Sequence, residues 1–208
     1  MTVGIIDYGV GNLGSVFRAL ELIDQKAKII QKPSALEGVS KAILPGVGNF
    51  TDCKTLLDNS GWSDSLKKNV LDCGLPMLGI CVGMQLLADY GHEGSLGQEH
   101  TSGLGFISGS VESLKELGCK ERVPHMGWNQ VKYLKDHLLF KNIPDCSFFY
   151  FVHSYCCLTS DNALTETAHG EGFVSALEKD NILAVQFHPE KSQDVGLELY
   201  KNFLNWSI

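Results

Sequence analysis

No run of apolar residues in the chain approaches the ~18 that a membrane-spanning helix requires, so nothing in it reads as a span. A basic cluster is also missing. The 17 Lys and Arg are scattered among 24 Asp and Glu, for a formal net charge of −7. That balance argues against a nucleic-acid binder, which needs a concentrated positive patch. No C-x2-C pair occurs among the seven cysteines, at 53, 73, 81, 119, 146, 156 and 157, and this removes the usual signature of a structural zinc site. Their odd number and irregular spacing do not suit a secreted disulfide scaffold, so reduced thiols in a cytosolic protein are the simplest reading. The sequon Asn205-Trp206-Ser207 is then a chance match. His92-Glu93 lacks the second His of H-E-x-x-H, and no metal or cofactor is expected. The residues after Met1 are not those of a signal peptide. Repeats, low-complexity tracts and Pro/Gly/Ser linkers are missing too, so residues 1–208 read as a single domain. A chain of this length removes roughly 70% of its unfolded surface from water, enough for a core without staples.

What is present alternates. Short runs rich in Val and Ile occur at 3–6, 28–30, 42–44 and 77–80, separated by segments of helical spacing at 13–23, 51–57 and 65–73. Runs of four or five apolar residues bounded by Gly or Pro suit strands buried on both faces. Strand and helix alternating at this length predict βαβ units and a mostly parallel central sheet flanked by helices, an α/β fold. The second half differs. Strands are predicted at 111–114, 129–133, 148–156, 164–168, 173–177 and 182–187 with little helix between them, which adds mixed or antiparallel strands. A last helix is predicted over 193–206.

Three glycine-rich turns follow strands. Gly9-Val10-Gly11-Asn12-Leu13-Gly14 has the form of a dinucleotide fingerprint, but no carboxylate ends the second strand to hold a ribose. A plain tight turn is the better reading. Pro45-Gly46-Val47-Gly48-Asn49-Phe50 follows the third strand, and its exposed N–H groups suit either an oxyanion site or an ordinary strand end. Gly79-Ile80-Cys81-Val82-Gly83 is a G-x-C-x-G between an apolar strand and a helical segment over 84–90, the form of a nucleophile elbow with Cys in place of Ser. A helix N-terminus there favours the thiolate, and the Val82 N–H faces a developing oxyanion. The plain alternative is a buried Cys at a strand end.

A base is supplied by the strand Ile182-Leu183-Ala184-Val185-Gln186-Phe187-His188-Pro189-Glu190. Positions i and i+2 of extended chain point the same way, and Pro189 keeps His188 extended. Glu190 can then orient the imidazole of His188 towards a thiol, as triad logic requires. The other histidines, at 92, 100, 125, 137, 153 and 169, lack such a local arrangement.

With G-I-C-V-G at 79–83 and Q-F-H-P-E-K-S at 186–192 in view, the chain resembles the class I, triad-type glutamine amidotransferases. More narrowly it is similar to the glutaminase subunits of imidazole glycerol phosphate synthase. That likeness rests on I-I-D-Y-G-V-G-N-L-G-S-V at 5–16, V-P-H-M-G-W-N at 123–129 and F-Y-F-V-H-S-Y at 149–155. The resemblance implies Cys81 as nucleophile, His188 as general base and acid, and Glu190 as its orienter. It implies oxyanion donors around Val47, Gly48 and Val82, and glutamine binding by Gln85, Glu93 and the backbone of His153-Ser154-Tyr155. Trp128 and Lys191 match positions facing a partner, although an isolated Trp also suits a core. The implied partner is a (β/α)8-barrel cyclase subunit that receives ammonia, forming a heterodimer. Its glutaminase is expected to be nearly silent until the partner's substrate site fills, through rearrangement of the Pro45 to Asn49 loop.

Two segments depart from the family pattern. Gly14 stands where many relatives carry Arg, and Cys156-Cys157 follow H-S-Y where many carry a second aromatic. A paralogous glutaminase feeding a surface-sugar amidotransferase also fits those departures. A non-catalytic binding module and a Cys hydrolase on the same fold are the remaining readings.

Overall fold

A computed structural model describes residues 2–95, 99–159 and 162–207. The first half runs β1 (Val3–Ile6), α1 (Leu13–Leu22), β2 (Ala27–Ile30), β3 (Lys41–Gly46), α2 (Phe50–Asn59), α3 (Trp62–Leu66), β4 (Met77–Cys81) and α4 (Val82–Gln85). Every residue of β1, β3 and β4 is buried, as expected of parallel strands covered on both faces. Each fully buried Val, Ile, Leu or Phe contributes about 1.5–3 kcal/mol, so these runs dominate the core energy.

The second half runs β5 (Tyr90–Gly91), β6 (Thr101–Ser102), β7 (Ser110–Ser113), β8 (His125–Tyr133), β9 (Ser147–His153), β10 (Tyr155–Leu158), β11 (Ala163–Thr167), β12 (Phe173–Lys179), β13 (Ile182–Val185) and α5 (Gln193–Asn205). Nine strands make one sheet in the order β2-β1-β3-β4-β13-β12-β11-β8-β9. The first five are parallel and the rest antiparallel. A second sheet orders β10-β7-β5-β6. The fold is therefore α/β with a largely parallel core and added antiparallel strands, as the alternation of apolar runs predicts. Late β13 inserts beside early β4, with Val185 opposite Ile80. That crossover brings the two chemically distinctive segments to the same sheet edge.

Three expectations need correction. The apolar stretch 148–156 is two strands in two sheets, β9 and β10, parted at Ser154. Both pieces are rich in apolar residues, so hydrophobicity carries no mark of the break. The helix expected over 84–90 ends at Gln85. Beyond it the carbonyls of Leu86, Leu87 and Ala88 accept N–H groups from Leu104, Phe106, Ile107 and Gly105, and so leave the helical pattern. Finally, β8 starts at His125 rather than 129, pairing His125 with His153. None of the helices in the described residues is long and apolar enough to cross a membrane.

Candidate active site

Cys81 ends β4 at φ 55°, a left-handed backbone unusual for a residue with a side chain. Its neighbours are constrained to glycine. A Cβ on Gly83 would lie 1.9 Å from the Leu44 carbonyl oxygen, and one on Gly79 would lie 2.9 Å from that of Gly83. The turn is thus pressed against β3, and only glycine fits the contact. Gly46 pairs with Cys81 across the two strands, and its own Cβ would lie 2.9 Å from the Gly83 nitrogen. This register sets the Pro45 to Gly48 loop beside the thiol. Gly48 has φ +113°, and the Val47 carbonyl accepts a weak hydrogen bond from the Cys53 thiol at 3.5 Å.

His188 follows β13 on the other side of Cys81. Its Nδ1 lies 2.7 Å from a Glu190 carboxylate oxygen, and both side chains are almost fully buried. Burial works to lower the His188 pKa, but the Cys81 sulfur and then Glu190 outweigh it and hold it up at about 10. Nε2 of His188 and the second oxygen of Glu190 are buried and have no hydrogen-bond partner among the described residues. Such an arrangement keeps an imidazolium beside the Cys81 sulfur, and it is as the thiolate that a cysteine attacks a carbonyl carbon.

A cavity of about 260 Å³ opens onto Cys81, amino-acid-sized and lined also by Val47, Gly48, Val82, Gln85, Glu93, His153, Ser154, Tyr155 and His188. The structure thus gathers the candidate nucleophile, base, oxyanion loop and substrate-binding residues around one space, although they span 142 positions of sequence from Val47 to His188. Glu190 stands behind His188 rather than in the cavity wall. The Glu93 carboxylate accepts the N–H of Phe50 at 3.1 Å, at the start of α2. Burial raises its pKa, and that N–H opposes the rise.

Trp128 and Lys191 lie outside the cavity. Trp128 is half-exposed on β8, so a core position is ruled out, and its ring meets Tyr150 edge-on at 6.2 Å. The Lys191 ammonium sits 5.5 Å from the centre of that same Tyr150 ring. Tyr150 therefore joins two residues that sequence spacing leaves unrelated.

Three more residues escape the sequence pattern. Gln186 is fully buried, and its Nε2 lies 3.7 Å from the Cys81 sulfur. The available signal is one polar residue inside an apolar strand. His125 and His169 stack at 4.2 Å, and His125 Nδ1 lies 2.9 Å from His153 Nε2. The His153 Nδ1 faces the Tyr155 carbonyl at 2.8 Å, so it must carry the proton. His153 Nε2 is then the acceptor, and His125 donates to it from Nδ1. Asn129 completes the chain by donating to His125 Nε2 at 3.1 Å. Burial lowers His153 to about 3, and burial with His169 alongside lowers His125 to about 4. Both rings are neutral at physiological pH, holding the 153–155 turn at the cavity wall.

Comparison with known proteins places this geometry in context. The family model described as Glutamine amidotransferase class-I matches residues 4–206. The chain is 43% identical over 203 residues to Imidazole glycerol phosphate synthase subunit HisH 1 of Campylobacter jejuni (strain RM1221), covering 97% of this chain and 98% of the relative. It is 44% identical over 204 residues to Imidazole glycerol phosphate synthase subunit HisH 2 of Methanococcus maripaludis, again covering 97% and 98%. Among solved structures, one titled Crystal structure of glutamine amidotransferase superposes with a TM-score of 0.74 at 22% identity, covering 97% of this chain and 96% of that one. At that identity the superposition speaks for the fold alone.

Proposed function

The chain belongs to the class-I glutamine amidotransferases, and from that membership we propose that it is the glutaminase subunit of imidazole glycerol phosphate synthase, acting in histidine biosynthesis. The observation that carries this reading is the near-full-length identity of about 40% to curated subunits of that synthase. The protein is an enzyme that releases ammonia from glutamine, with residues 1–208 working as one amidotransferase domain.

The reaction proceeds in two halves. Cys81 thiolate attacks the δ-carbon of the glutamine side-chain amide, and the tetrahedral oxyanion is held by N–H groups of the Val47–Gly48 loop and Val82. His188, kept protonated by Glu190, gives its proton to the leaving nitrogen, so ammonia departs and a γ-glutamyl thioester stays on Cys81. His188 then takes a proton from water, whose oxygen attacks the thioester. Glutamate leaves, and the thiolate and imidazolium are restored. Gln85, Glu93 and the 153–155 backbone hold the substrate meanwhile.

The ammonia goes to a cyclase subunit with a (β/α)8 barrel, bound as a heterodimer over the face that carries Trp128, Tyr150 and Lys191. There it completes imidazole glycerol phosphate and AICAR ribonucleotide, in the cytoplasm. The test is glutamate release by the purified protein, alone and mixed with a cyclase subunit, with and without the cyclase's nucleotide substrate. A rise in glutaminase that needs both, together with formation of imidazole glycerol phosphate, is expected. Glutaminase indifferent to the cyclase, yet stimulated by a surface-sugar amidotransferase, overturns the assignment of the acceptor.

A further inference from the structure

Gln186 sits two residues before His188, and its side chain is wholly buried among the apolar residues of the strand end. An amide in such surroundings is costly unless both of its ends are hydrogen-bonded. Both are. Its Oε1 lies 3.0 Å from Gln85 Nε2, and its Nε2 lies 3.7 Å from the Cys81 sulfur, a contact distance for N–H and sulfur.

Which end of each amide faces which neighbour follows from a backbone carbonyl. The Tyr155 carbonyl oxygen only accepts, so Gln85 must present its NH2 there, at 2.9 Å. The same NH2 donates its second hydrogen to Gln186 Oε1. Gln186 is then left with its NH2 towards Cys81. The reverse setting would oppose two NH2 groups and put a carbonyl oxygen against the sulfur. A thiol is a weak acceptor, whereas hydrogen bonds to a charged acceptor are about twice as strong as neutral ones. The donor therefore favours thiolate over thiol.

We propose that Gln186 is a catalytic residue of the glutaminase, donating from Nε2 to the Cys81 sulfur and stabilising the thiolate, with Gln85 fixing its direction. The inference rests on the glutaminase reading for its kinetic consequence, though not for the state of the sulfur. The thiolate exists twice in each turnover, before attack and again as the leaving group when the thioester is hydrolysed. His188 shuttles a proton in both halves, while the Gln186 donor stays in place throughout. Gln85 adds a link to substrate. It lines the cavity, and its Oε1 is buried with no partner among the described residues, free to accept an N–H of bound glutamine.

The test compares wild type with Gln186→Leu, which keeps an apolar filler and removes the donor, and with Gln186→Glu, which keeps the shape and places a carboxyl oxygen by the sulfur. Alkylation of Cys81 by iodoacetamide, followed at that residue by mass spectrometry across pH without glutamine, reads the thiolate directly. The other titratable neighbours of the sulfur, His188 with Glu190, Tyr8, Cys53 and Cys157, are the same in all three proteins. Both variants are expected to move the midpoint upward, by about one unit in Gln186→Leu and further in Gln186→Glu. Glutaminase kcat, read with the cyclase subunit and its nucleotide substrate present, should fall about tenfold to hundredfold in Gln186→Leu, the worth of a hydrogen bond to a charged group, with KM within about threefold. Should Gln186→Leu fail to fold, the Gln186→Glu midpoint decides. Midpoints within about 0.3 units of wild type, or a change confined to KM, overturn the proposal. If the wild type mixed with the cyclase subunit and its nucleotide substrate releases no glutamate from glutamine, the glutaminase reading fails by itself, and the alkylation midpoints still judge Gln186.

Discussion

The buried pair His125 and His153 makes the fold acid-sensitive in a measurable way. Their pKa values, about 4 and about 3, stand below the ordinary value of 6.5. Between pH 6.5 and these values the unfolded chain binds two protons that the folded chain refuses. Stability is therefore fully present above pH 6.5 and falls as pH is lowered towards 4. At 1.36 kcal/mol per pH unit, moving to pH 5 costs about 2 kcal/mol for each ring. The rings touch and share their titration, so the pair together contributes about 2–4 kcal/mol. His188 adds little to this slope. Its pKa is raised to about 10, so it is protonated in both states below 6.5, and its own stabilisation is lost only as pH rises towards 10. Urea unfolding followed by tryptophan fluorescence at pH 7 and pH 5 measures the slope. The double variant His125→Gln, His153→Gln keeps polar groups at both places but does not titrate. Wild type should lose about 2–4 kcal/mol more than the variant over that interval. Equal losses in the two proteins would refute the reasoning, because the cluster would then not be held neutral by the fold.

Two further outcomes follow from the geometry of the site. Replacing Glu190 by Gln keeps an acceptor near His188 Nδ1 but removes the buried charge that supports the imidazolium at 2.7 Å. A buried charge left without its partner costs about 3–5 kcal/mol, so glutaminase kcat/KM should fall by about 10²–10³ or more. A fall under tenfold in correctly folded protein counts against the triad. Gly83→Ala would press its Cβ to 1.9 Å from the Leu44 carbonyl oxygen, where backbone must move. A loss of about 3 kcal/mol or more in chemical denaturation is expected, or no soluble protein. Gly14→Ala, with open space around its Cβ, is the control and should melt at or above the wild-type temperature.

Much of the fold is written locally. Strands β1, β3, β4 and β13 are buried on both faces, so they stand out as short apolar runs. His188 and Glu190 are also a local matter, because two positions of chain and one proline suffice to set them side by side. Cys81 is legible for a steric reason, since the glycines beside it are demanded by a backbone contact that no side chain tolerates. What sequence does not carry is pairing across distance. Gln85 and Gln186 are 101 positions apart, and each alone looks like an isolated polar residue. Their meaning appears only when β13 slots in beside β4. The same holds for His125, His153 and His169, which come together because β8 pairs with β9 from its first residue and, on its other side, with β11, the strand that His169 follows.

That pairing also explains why the first residues of β8, 125–128, cannot be read from hydrophobicity. Its alternate residues do two jobs on opposite faces. His125 turns inward to hold His153 by a hydrogen bond and Asn129 holds His125 in turn, whereas Met126 and Trp128 are exposed. Over residues 125–128 a polar residue lies inside and apolar residues outside, the reverse of the usual pattern, whereas from Val131, buried, and Lys132, exposed, the ordinary alternation returns. Its inward polar groups make up a hydrogen-bond chain ending on the Tyr155 carbonyl, which also accepts from Gln85. Its outward apolar groups include Trp128, packed on the Tyr150 ring that Lys191 covers. The inversion is therefore the physical consequence of one strand carrying both the surface beside Tyr150 and the support of the cavity that opens onto Cys81.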